Sequence, residues 1–214
     1  MRGISGAIVL LLGIFIAGCS SLAGKKDPYA KAWSQVVGSP AWNESLTRNV
    51  TKSIEKRPEF FVLPESKGLD ESAVDSVFKT NYPKWVSRAY FRLISEATES
   101  DDKIREEYQA IFLESKRDEN RNNKIIQEDS ERARKRFIAH RQMLEGLISW
   151  RAFHEFGSND LDYFLKEQLP EAYTRYKQGQ NENQIVAFLM NRLADLYHQE
   201  TGLRFGNTSS DNTN

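Results

Sequence analysis

Residues 124–156, KIIQEDSERARKRFIAHRQMLEGLISWRAFHEF, contain no proline and a single glycine, Gly146. Ala133, Phe137, His140, Leu144, Leu147, Arg151 and His154 recur at spacings of three and four, which places them on one face of an α-helix. The first half of the stretch is narrow in its apolar stripe and dense in charge, whereas the second half, MLEGLISWRAFHEF, is apolar almost all round. This pattern predicts one long helix that begins in solvent and threads its end through a core.

The charged half has too few apolar positions to stand alone as a helix in water. A companion lies just upstream. Ser100-Asp101-Asp102 reads as a helix start, because acidic side chains favour the positive N-terminal end, and Ile104, Tyr108, Ile111 and Phe112 follow at helical spacing. Between the two, residues 116–123 (KRDENRNN) lack any apolar side chain and read as an exposed turn. The expectation is an antiparallel helical hairpin with this turn at its tip. Exposed tips present varied polar groups, so Arg117, Arg121, Lys124, Arg132, Lys135 and Arg136 are the candidate partner surface. Glu128 stands four residues before Arg132, and Glu131 four before Lys135, the favourable order for ion pairs along a helix. A solvated, self-paired helix face therefore accounts for most of this basic segment.

Further out, helical signals continue. Ser39-Pro40 is a capping serine followed by proline, and Trp42, Leu46, Val50 and Ile54 recur every four residues up to Pro58. Residues 59–63 (EFFVL) are strand-like but lie between Pro58 and Pro64, which predicts an extended connection. Asp70 is expected to open a helix carrying Val74, Val77, Phe78 and Tyr82, which Pro83 kinks or restarts. Val86, Tyr90, Leu93 and Ala97 carry the period onward. Downstream, Gly157 ends the long helix, residues 158–160 cap another, and Pro170 is expected to start a short helix closing at Gly179. Asn181 with Gln184 forms a capping-box pattern before a last helix that Gly202 stops. The fold class expected is all-α: an irregular multi-helix bundle with one long central helix, spanning residues 29–205. Residues 206–214 (GNTSSDNTN) read as a disordered tail by composition.

The chain has 214 residues, with 30 basic and 30 acidic side chains and ordinary globular composition. Zero net charge argues against a dedicated nucleic-acid binder. The single cysteine, Cys19, excludes an intramolecular disulfide and any CxxC zinc or redox site. Its position is informative. Arg2 precedes the apolar run Ile4–Phe15, which is shorter than the roughly 20 residues a spanning helix needs and ends in small residues. The run closes on Ile16-Ala17-Gly18-Cys19.

That tetrapeptide resembles the lipobox of bacterial lipoproteins, in which an aliphatic residue and two small ones precede a lipid-modified cysteine. The resemblance covers only the export segment. It implies a signal peptide over residues 1–18, cleavage between Gly18 and Cys19, diacylglycerol on the Cys19 sulfur and acylation of the new amino terminus. Residues 19–28 are then a lipidated tether. Two or three acyl chains hold a protein at a membrane where one does not, at about 0.8 kcal/mol per buried methylene. Ser20 follows the cysteine, where lipoproteins retained in the inner membrane often carry aspartate. In a Gram-negative cell this resemblance implies the outer membrane, facing the periplasm. Removing residues 1–18 takes away Arg2 alone among the charged side chains, so attachment comes from lipid and not from bulk charge.

Catalytic patterns are weak. His140 and His154 share the helical stripe fourteen residues apart, about 21 Å on a continuous helix, too far for one metal. Neither HExxH, nor the Glu-x-x-His pairs of di-iron bundles, nor a G-x-S-x-G elbow, nor a glycine-rich phosphate loop occurs. Trp42, Trp85, Tyr90, Trp150 and Phe153 fall on apolar stripes, where core packing is commoner than a sugar platform. The expectation is a protein anchored to the membrane by Cys19 lipid that works without catalysis. It binds an envelope protein as adaptor, assembly factor or inhibitor. No catalytic, cofactor, metal or nucleic-acid site is expected. The alternative is a cell-wall or glycan-directed enzyme or binder using a groove between helices. A carboxylate cluster in a concave aromatic groove would favour the alternative; a closed core with exposed apolar residues at the hairpin tip would favour the partner reading.

Overall fold

The computed structural model describes residues 39–57, 75–154 and 158–203, all within the compact unit Val37–Asn214. The signal segment, Cys19, the tether, the connection at 59–63, the Asp70 start, Gly157 and the tail at 206–214 lie outside the described residues.

Six α-helices and a 3₁₀ turn make up the described residues, and no strand occurs among them. Helix α1, Pro40–Glu55, starts as its sequence dictates: the Ser39 hydroxyl accepts the Trp42 N–H at 3.3 Å and Pro40 fills the first turn. Helix α2, Ser76–Ser115, is capped by the Asp75 carboxylate, which accepts the Val77 N–H at 2.6 Å. At 40 residues it is about 60 Å long. The 3₁₀ turn Asp118–Asn120 leads to α3, Lys124–Ile148, whose first amides donate to the Asn123 side chain. A single turn, α4 (Arg151–His154), precedes α5, Asn159–Lys177, and α6, Glu182–Thr201. The capping box of Asn181 and Gln184 forms, and Gly202 ends α6 at φ 70°, a left-handed conformation that suits glycine.

The bundle is all-α with one long central helix, but the long helix is α2 and not residues 124–156. Three expectations are corrected. First, α3 stops at Ile148 because the carbonyls left open at its end find other donors: the Tyr90 hydroxyl bonds Leu147 O at 2.5 Å, and His154 Nε2 donates to Ile148 O at 2.7 Å. The break turns the Trp150 ring into the core against Tyr90, Phe153 and Tyr197. Second, Ser100-Asp101-Asp102 starts nothing, and lies mid-way in α2. The Ser100 hydroxyl donates back to Glu96 O at 2.9 Å, and Asp101 points inward. Third, Pro170 starts no helix and lies inside α5, and Pro83 lies inside α2 and so does not restart it. Each lacks the N–H that would otherwise bond the carbonyl four residues earlier, in Lys79 and Lys166. The neighbours Tyr82, Trp85, Leu169 and Ala172 are buried, and this packing outweighs a cost of about 3 kcal/mol.

Helix α2 packs against α3, α6 and α1, and α5 closes the bundle on α6 and α1. Phe78, Tyr82, Val86, Tyr90 and Ile94 of α2, Leu165 and Leu169 of α5, and Ile185, Leu189 and Leu193 of α6 are all buried in the core. Hydroxyl contacts fix the helices' relative positions: Tyr82 Oη donates to Leu165 O at 2.9 Å, and Tyr197 Oη to Met143 O at 3.0 Å. The last contact passes directly over Gly146, where an added Cβ would stand 2.5 Å from Tyr197 Oη.

Candidate functional site

The expected hairpin forms from the second half of α2 and the first half of α3. Its register is set by paired side chains. Asp101 of α2 is 3% exposed and receives Arg141 Nε at 2.9 Å and Arg141 Nη2 at 2.8 Å, with His140 Nδ1 at 3.4 Å. Burial pushes the Asp101 carboxyl up, but hydrogen bonds from His140 and Arg141 outweigh it and hold the group below the usual carboxylate range. Further out, Tyr108 stacks on Phe137 with ring centroids 5.6 Å apart, and Glu107 pairs with Arg136 at 2.9 Å. At the far end Gln127 Nε2 donates to the carbonyls of Ser115 and Asn120, and Asn120 Nδ2 donates to Glu114. The turn is thus built by its amide side chains.

Past Ala97, the buried residues of α2 are Asp101, Ile104, Tyr108 and Ser115, a single stripe turned toward α3. Distal burial on α3 is as sparse, with Ser130 and Phe137. The outer faces of the hairpin therefore meet solvent, and not all of that surface is polar. Leu113 is 58% and Ile125 70% exposed, beside the turn. Along one side runs an open groove of about 570 Å³, floored by Ala110, Ile111, Ile126 and Ala133 and rimmed by Glu114, Asp129, Arg132 and Arg136.

The six predicted surface cations divide by position. Arg132 and Arg136 reach the groove rim. Arg117 pairs with Glu114, Arg121 with Asp118 and Lys124 with Glu128, all around the turn, while Lys135 is exposed on α3. The expected pairs Glu128–Arg132 and Glu131–Lys135 give way to others. Glu128 is drawn back to Lys124, Arg132 closes on Asp129 and Arg134 on Glu131, each of the last two at i,i+3. Ala110, Ile126 and the exposed Leu113 were not among the residues singled out from sequence, whereas Ile111 and Ala133, expected on apolar stripes, line the groove. The doublet Ile125-Ile126 was the available signal, since only one of two adjacent helical residues can face the partner helix.

Histidines and aromatics are used structurally. His140 sits in the Asp101 cluster, His154 bonds Ile148 O, and His198 Nδ1 donates to Leu203 O at 3.3 Å. Burial holds the His154 imidazole below its usual value, which keeps it neutral. Trp85, Tyr90, Trp150 and Phe153 are buried; Tyr90 and Phe153 stack 4.0 Å apart, and Trp42 lies half-buried against Phe91. Trp150 Nε1 donates to Glu200 at 2.8 Å, yet burial still raises the Glu200 carboxyl. Among the described residues no group of His, Cys, Asp or Glu is placed to hold a metal, and no helix is long and apolar enough to cross a membrane. No family model, curated protein or solved structure matches the chain.

Proposed function

We propose that this chain is a lipid-anchored cell-envelope protein that acts by protein–protein interaction, with the α2–α3 hairpin as the contacting element. The observation that carries the reading is the exposure of Leu113 and Ile125 beside a turn that is otherwise polar and charged. Large apolar side chains exposed near the end of a built hairpin suit partner contact. The cationic side chains Arg117, Arg121 and Lys124 lie around the turn and Arg132, Lys135 and Arg136 further along α3, and they supply polar surface beside it. Of the aromatic residues that a glycan platform would need, Trp85, Tyr90, Trp150 and Phe153 are packed in the core and Trp42 is half-buried. The anchor rests on the lipobox-like Ile16-Ala17-Gly18-Cys19.

Crosslinking and affinity recovery from native membranes test the contact. The wild-type chain is expected to recover a defined envelope protein, and Leu113→Ser/Ile125→Ser to lose it while remaining folded. Recovery of glycan fragments without protein would reverse the reading. For the anchor, Cys19→Ser is expected to release the protein from membranes and change its processed size. Membrane-bound protein of wild-type size would refute lipidation.

A further inference from the structure

We draw no further inference here: the strongest candidate, the open groove along the α2–α3 hairpin floored by Ala110, Ile111, Ile126 and Ala133, carries nothing because its rim residues Arg136, Asp129 and Glu114 already pair within the chain, with Glu107, Arg132 and Arg117, and nothing in the structure shows what covers it.

Discussion

Residues Phe78 to Ala97 and Ile104 to Ser115 belong to one helix, yet they live in different surroundings. In the first part, Tyr82, Pro83, Trp85, Val86, Ser87, Ala89 and Tyr90 are buried in near-continuous succession, so the helix is enclosed on most sides. In the second, burial follows one stripe toward α3, and the remaining positions are exposed or only half-buried. Asp101 with Arg141 and His140 marks the passage between them. The contrast separates two tasks: the core end specifies the fold, whereas the hairpin end has surface to spare for another molecule.

Substitutions can break or sharpen that contrast. The largest effect is expected in the core end. Phe78 is fully buried and its ring meets Tyr82, Trp85 and Tyr173, so Phe78→Ala should cost about 3–5 kcal/mol in urea unfolding. At the passage, Asp101→Asn leaves Arg141 without its carboxylate and should cost about 2–3 kcal/mol. The Asp101 carboxyl is held low in the folded chain, so the unfolded chain takes up the proton first. Its stabilisation is complete above the ordinary carboxyl value of about 4 and is lost as pH falls through the folded value. Unfolding midpoints measured across acidic pH should show this limb in wild type and a flatter one in Asp101→Asn.

A smaller effect is expected at Gly146. Gly146→Ala drives a methyl against Tyr197 Oη and should cost about 1–2 kcal/mol, despite a gain of about 1 kcal/mol in helix propensity. Tyr197→Phe removes the obstructing oxygen, so the double variant should lose less than the two single losses combined. The smallest stability effect belongs to the hairpin end: Leu113→Ser and Ile125→Ser should each change unfolding by less than about 0.5 kcal/mol.

Local signals announced much of this fold. Ser39-Pro40, the Asn181–Gln184 box and Gly202 act where their chemistry places them, and the charge-rich stretch after Lys116 is a turn. The departures share a cause, which is that tertiary partners decide whether a local signal is used. Asp101 resembles a capping residue until Arg141, forty positions away, claims it. Pro83 and Pro170 resemble breaks until the packing around them holds the helix through. The end of α3 depends on the Tyr90 hydroxyl and on His154, which no periodicity reveals. At the candidate site the cations were visible, but small alanines level with one another become a groove only once the register of two helices is set.

The most direct test of this division is crosslinked recovery from native membranes with Leu113→Ser/Ile125→Ser, alongside its urea midpoint. The account predicts an unchanged midpoint and loss of the crosslinked partner. An unchanged midpoint with undiminished crosslinking would contradict it, and would place the interaction elsewhere on the molecule.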